Sequence, residues 1–421
     1  MPKLPFAVHT RPTAHFAPLG LLLALWPVAS AQTGLVVPAG TTMVYDTAQG
    51  PLIVSELIIE QGATLRAIGS APFELVATRR IHLDGVLDAS GQHAPDVFML
   101  VSANIPKAPG RGGPGGGAGG LGSPSKTGSD AGGDNGQPGL GAPALSAGQG
   151  GNSGYNSSST DNNRRPGGGG GGRLAADEAI SGSPFAAANL GLSASSGANG
   201  GVNATDAKTG IKPPKGGAVG QSVFQDGNPN NDFFGVALDA QSGSLVLGEL
   251  SAPVGGSGGG AGGDAIQFAT FPQIPWNLNN EEAGAGGGGG GGVARLRTRQ
   301  LSLGPTGRIL ANGGDGARGE STNGINNVAG GSGGGSGGML IIQALQMDLS
   351  QASPDCLSAR GGRGGPGQGN VYGQGTNAGG MGGPGLIQLH NANPLTSVIL
   401  PAGLDLADLS APNAKLLLPL P

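Results

Sequence analysis

Ile81-His82-Leu83-Asp84-Gly85-Val86-Leu87-Asp88-Ala89-Ser90-Gly91 alternates apolar and polar residues, passes through a turn glycine and ends on Leu-x-Ala-x-Gly. An earlier stretch, Leu57 to Gly69, follows the same plan and ends Leu65-Arg66-Ala67-Ile68-Gly69, so the two Leu-x-Ala elements stand 22 residues apart. The cadence returns at Leu301 to Gly313 and at Met347 to Gly361. A looser copy sits at Leu245-Val246-Leu247 and Leu250-Ser251-Ala252, where Gly255 comes one residue late. Period-two alternation turns one face of each short strand toward a core. Alanine in the inward slot after Leu or Ile marks a narrow place, and glycine two residues later suits a bend.

Between each Leu-x-Ala-x-Gly element and the next apolar strand the chain inserts a segment of variable length. It is only Ser70-Ala71-Pro72 in the first copy, most of 92–244 in the second, then 256–292, 314–339 and 362–385. These insertions hold the glycine-rich runs, including Gly167–Gly172 and Gly286–Gly292, whereas the strands are nearly free of glycine. A period near 22 residues predicts an all-β fold, a parallel β-helix (β-solenoid) with long glycine-rich insertions leaving from one edge. A β-sandwich with glycine-rich loops is the alternative. The glycine tracts themselves either stay disordered or align as polyproline-II-like strands, which approach closely only where no Cβ intervenes. Strict Gly-X-Y periodicity is absent, which excludes collagen.

The chain contains 89 glycines in 421 residues, with 11% charged and 4% aromatic residues and a net charge of -4. That balance offers no electrostatic reason to expect nucleic acid or an anionic membrane as partner. Lys3 and Arg11 precede an apolar stretch from Ala17 to Ala29, and Ala29-Ser30-Ala31 follows. This is the pattern of a secretory signal peptide cleaved after Ala31, and Pro18, Gly20 and Pro27 interrupt the run too often for a membrane span. The mature chain is therefore expected to be secreted or held at the cell surface, without a transmembrane span. The lone Cys356 is expected as a small buried residue.

Short strands mixed with tracts such as Gly115-Gly116-Gly117-Ala118-Gly119-Gly120 resemble bacterial secreted glycine-rich surface proteins and β-helical adhesins. That resemblance implies adhesion or a matrix role, with cell-surface or matrix polysaccharide or protein as partner.

Residues suited to chemistry are sparse. His82, His93 and His390 form no zinc-ligand pair, and His82 falls between inward Ile81 and Leu83 and so faces outward. Gly132-Gly133-Asp134 and Gly313-Gly314-Asp315-Gly316 approach a calcium repeat but do not recur in register. No catalytic, cofactor-binding or metal-binding residue is assigned, and a secreted, non-catalytic structural or adhesive protein is expected. The alternative is a polysaccharide-binding or polysaccharide-cleaving protein with Asp84, Asp88 and Arg79 or Arg80 gathered on an outer face. The expected organisation is a signal peptide over 1–31, N-terminal β-helix coils over 32–91, a glycine-rich low-complexity insertion over 92–235, β-helix coils with glycine-rich insertions over 236–390 and a C-terminal tail or cap over 391–421.

Overall fold

The computed structural model describes residues 34–96, 107–122, 133–151, 154–156, 168–174, 217–238, 243–267, 281–320, 329–367, 377–391, 393–412 and 414–417. The expected signal peptide over 1–31, and a stretch Leu190-Gly191-Leu192-Ser193-Ala194 that repeats part of the cadence, lie outside them.

Two large parallel sheets organise the chain. The eight-stranded sheet runs Leu35–Val37, Leu52–Ile59, Phe73–Leu83, Val293–Leu303, Met339–Asp348, Leu386–His390 and Lys415–Leu417, with Val398–Ile399 beside the end of Met339–Asp348. The six-stranded sheet runs Thr42–Asp46, Thr64–Ile68, Val86–Asp88, Arg308–Leu310, Leu357–Ser358 and Ser410–Ala411. Apart from the small strands between Asp88 and Val293 and from Val398–Ile399, the strands alternate along the chain between the two sheets, whose inward residues share one core. Leu65, Leu87, Ile309 and Leu357 stand in register across the six-stranded sheet. The alanines that follow, Ala67, Ala89, Ala311 and Ala359, are all buried. Cys356 is buried in the same core, and burial pushes its thiol up to about 11.

The β-helix (β-solenoid) expectation is therefore corrected: the described strands form parallel sheets of eight and six strands with few helical residues. The sandwich of hairpins fails as well, because every pairing in both large sheets is parallel. The physical reason lies in what the 22-residue spacing controls. It sets the register of neighbouring strands, which any parallel sheet with crossovers requires, but it does not dictate the path of the chain between them. After Ala89 the chain leaves the sheets and re-enters at Val293, with other glycine-rich excursions after Ala311 and Ala359. The looser copy belongs to neither large sheet. Val236–Leu238 and Leu245–Leu247 form a separate antiparallel pair, and Leu245 and Leu247 are exposed.

Between those strands the excursions build a layer of their own, in which backbone hydrogen bonds recur at every third residue. The tract 284–292 shows the rule. Gly287 and Gly290 donate to Gly120 and Gly117, Gly288 and Gly291 to Gly333 and Ser336, and Gly289 and Gly292 to Gln92 and Ala89. It accepts from Gly110 and Gly113, from Gly256 and Gly259, and from Gly314. Each set of contacts belongs to a different neighbouring stretch, so the tract is surrounded on all sides. Three-fold recurrence is the signature of an extended helix with three residues per turn, which has no internal hydrogen bonds and must find them laterally. At most of these glycines an added Cβ would lie under 3.0 Å from a neighbouring backbone carbonyl group. Tracts at the margin relax the rule at one position in three: in 377–385, Gly379, Gly380, Gly382, Gly383 and Gly385 donate inward, while Met381 between them is exposed.

The layer also covers the entry of the long strands. Val293, Met339, Ile341 and Leu386 face outward from the shared core yet are buried in a second cluster with Leu174, Val223, Phe224, Leu250 and Val254. This explains why Met339-Leu340-Ile341-Ile342 is apolar at every position rather than alternating.

Substituting Gly289 by alanine is expected to lower stability by more than about 3 kcal/mol, because carbonyl groups on rigid neighbouring backbones must move. Gly40→Ala, at a turn with φ of +70° and open space around it, is expected to cost only about 1 kcal/mol. Chemical denaturation of the two variants checks this, and equal losses would contradict the tight packing of the layer.

Candidate functional site

Among the described residues, the outer face of the eight-stranded sheet carries a group of polar side chains beside a cavity. Both ladders that flank the strand Phe73–Leu83 shift register part-way, between Val54 and Glu56 on one side and between Thr298 and Gln300 on the other. The middle strand, Phe73–Leu83, takes up the extra residue there, with Arg79 and Arg80 exposed. Irregularities of this kind re-aim side chains. Beyond the bend, Glu56, Arg80, Gln300 and Gln346 stand side by side in the ladder. Arg80 pairs with Glu56, and Gln300 Nε2 donates to Gln346 Oε1 at 3.0 Å. One step further along, His82, Ser302 and Asp348 are neighbours. His82 Nδ1 meets Ser302 Oγ at 2.8 Å, and its Nε2 meets Asp84 Oδ2 at 3.1 Å.

A cleft of about 340 Å³ opens beside these rows, lined among others by Arg80, Gln300, Ser302, Gln346, Asp348 and Thr396. Ser302 is thus both a wall of the cleft and a partner of His82. The outward placement of His82 expected from alternation is found, but both of its ring nitrogens are engaged.

The grouping of Asp84 with Asp88 is not found. Asp88 belongs to the six-stranded sheet, where its carboxylate holds Arg66 and the Ser90 amide. Asp84 serves His82, and Arg79 joins neither in any hydrogen bond or ion pair of the structure's described residues. Asp315, within the second approach to a calcium repeat, is taken by Arg363, which donates from Nη2 at 2.6 Å and Nε at 3.0 Å. That leaves little room for a cation there.

A different carboxylate group was not singled out by its sequence. Asp226, Asp232 and Glu249 bring carboxylate oxygens within 4.8 Å of one another. Asn228 and Asn230 turn the loop through Asx bonds to Asp226 Oδ1 and between themselves. All-oxygen donors of this kind suit a hard divalent cation. The available signal was the alternation Asp226-x-Asn228-x-Asn230-x-Asp232, masked by the low complexity around it. Buried Lys415 donates to the Asp232 carbonyl and ties this loop to the last strand of the eight-stranded sheet.

Nearby, Gln388 binds the backbone of Phe234 in both directions and touches His390 Nε2 at 3.2 Å. Burial, together with the positive charge of Arg295, holds the His390 imidazole down at about 4. Neutral His390 is favoured in the folded state, so its contribution is complete above the unfolded value near 6.5 and is lost as pH falls toward 4. The expected loss is about 3 kcal/mol across that window. His390→Gln should flatten the fall, read as the difference in melting temperature between pH 7 and pH 4.5; an unchanged fall would assign it to other groups.

Among the described residues no helix is long and apolar enough to cross a membrane. No family model, no curated protein and no solved structure matches the chain.

Proposed function

We propose that this is a secreted or cell-surface protein with a structural or adhesive role, and that its contact surface is the glycine layer. The supporting observation is the layer's construction. Its tracts are bonded backbone to backbone in several directions, so they form a stiff face with few side chains rather than a set of loose loops. Exposed on its marginal tracts are Leu121, Leu140, Leu145 and Met381. Apolar side chains held out from a stiff, otherwise side-chain-poor surface favour contact with a partner over solvation. Cell-surface or matrix polysaccharide or protein is the partner class that suits such a face, since broad contact requires no deep pocket. Export by the Ala31 leader is part of this reading.

The reading as a polysaccharide-cleaving protein based on Asp84 and Asp88 receives no support, because each carboxylate serves a different group.

The test is binding of the mature chain to a broad glycan array and to intact cells. Saturable binding that weakens at least several-fold in a Leu140→Ser, Leu145→Ser, Met381→Ser triple variant is expected. Absence of saturable binding to both supports would count against adhesion.

A further inference from the structure

We propose that Ser302, His82 and Asp84 form a nucleophile, base and orienting group that hydrolyse small neutral esters bound in the cleft beside Ser302. This goes beyond the adhesive reading and concerns a different part of the molecule, the outer face of the eight-stranded sheet.

The three side chains come from adjoining strands. His82 and Ser302 are lateral neighbours in the ladder, and Asp84 follows His82 by two residues at the strand's end. The distances, 2.8 Å from Ser302 Oγ to Nδ1 and 3.1 Å from Nε2 to Asp84 Oδ2, define a continuous relay. With Asp84 accepting from Nε2–H, the imidazole is held in the tautomer whose Nδ1 is free to take the serine proton. The two nitrogens play the reverse of their more familiar parts, but the roles depend on geometry rather than on atom names.

The neighbourhood supports the placement of Asp84. A Cβ at Gly304 would collide with Asp84 Oδ1, so only glycine there lets the carboxylate lie against the adjacent strand. Thr306 Oγ1 donates to the Asp84 carbonyl and anchors the same turn. Ser302 faces the cleft, so a reacting carbonyl can approach it from the side away from the core.

The cleft also selects a substrate class. Asp348 flanks Ser302 on the side opposite His82, so a carboxylate-bearing substrate would be repelled. Arg80 is neutralised by Glu56 and retains N–H groups beyond the two engaged. Gln300 and Gln346 add amide groups suited to hydroxyls. An O-acetyl group on a sugar or other polyol meets these constraints in size, charge and polarity. Arg80, the two amides and the Thr396 and Ser397 hydroxyls are side-chain donors on the cleft wall for the oxyanion.

In the first step Ser302 Oγ attacks the ester carbonyl carbon and its proton passes to His82 Nδ1. The bond from that carbon to the alcohol oxygen breaks, and the alcohol leaves with the proton from the imidazole. Water then gives a proton to Nδ1 as its oxygen attacks the acyl carbon. The bond to Ser302 Oγ breaks, Oγ recovers the proton, and acetic acid departs, ionising in solution. No metal or other reactant is consumed besides water.

The experiment incubates the mature chain with p-nitrophenyl acetate and with glucose pentaacetate, measuring nitrophenol and acetate. A fluorophosphonate probe followed by peptide mass spectrometry locates the reactive serine. Turnover should fall at least about 100-fold in Ser302→Ala and His82→Ala and about tenfold or more in Asp84→Asn. Ser251→Ala, at an exposed serine that does not line the cleft, should leave it unchanged, and the probe should label Ser302. Equal melting temperatures for the wild type and Ser302→Ala separate loss of chemistry from loss of fold. The proposal is overturned if turnover does not exceed buffer, if Ser302→Ala retains it, or if the probe labels another residue instead.

Discussion

The N–H to carbonyl bond between neighbouring glycine stretches is the interaction on which the rest of the molecule depends. A chain with three residues per turn makes no hydrogen bonds within itself, so every buried backbone group must be satisfied from outside. Around 284–292 that demand is met by stretches on all sides, at separations that leave no room for a Cβ. Ordering glycine is entropically expensive, more so than for any other residue. What offsets the cost is that each added tract satisfies several neighbours at once. Central tracts, ringed by others, hold little besides Gly, Ala and Ser, while marginal tracts admit Met381, Leu121 or Arg363 where one direction faces solvent.

This layer and the two sheets constrain one another through the points at which the chain passes between them. Ala89, Ala311 and Ala359 end rows of the six-stranded sheet and at the same time bond to the last glycines of the tracts that lead back to the sheets: Gly292 and Gly338 donate to the Ala89 and Ala311 carbonyls, and Gly385 to that of Ala359. A larger inward residue at these points would press against the shared core and shift the donor's tract with it. The narrowness inferred from the recurrent alanine thus has two causes, a core on one side and a glycine backbone on the other.

Much of the local structure was legible. The register of Leu65, Leu87, Ile309 and Leu357 follows from the recurring Leu-x-Ala-x-Gly, as does the burial of the alanines, because period-two alternation reports directly on one face of a strand. The architecture was not legible, since the same spacing is compatible with more than one path for the connecting chain. The Leu250-Ser251-Ala252 copy misled for a related reason: its late Gly255 shifts the phase, and the segment covers Val293 and Met339 from outside instead of joining either large sheet. The bend at Arg79 and Arg80 left no mark in the pattern, because polar residues occupy both faces there.

The polar row on the outer face was hidden by distance along the chain. His82 and Ser302 are 220 residues apart, and only the return of the chain at Val293, beside the strand it left before the glycine excursion, sets them in contact. Alternation gives the outward direction of His82 but not its partners. Parallel pairing makes such encounters systematic: residues at matching ladder positions on consecutive strands of the sheet lie side by side however long the intervening chain. An excursion packed by its own hydrogen bonds can therefore lengthen without disturbing the row that its two ends complete. The glycine layer's self-sufficiency is what allows a side-chain constellation on one face to be assembled from residues far apart in the chain.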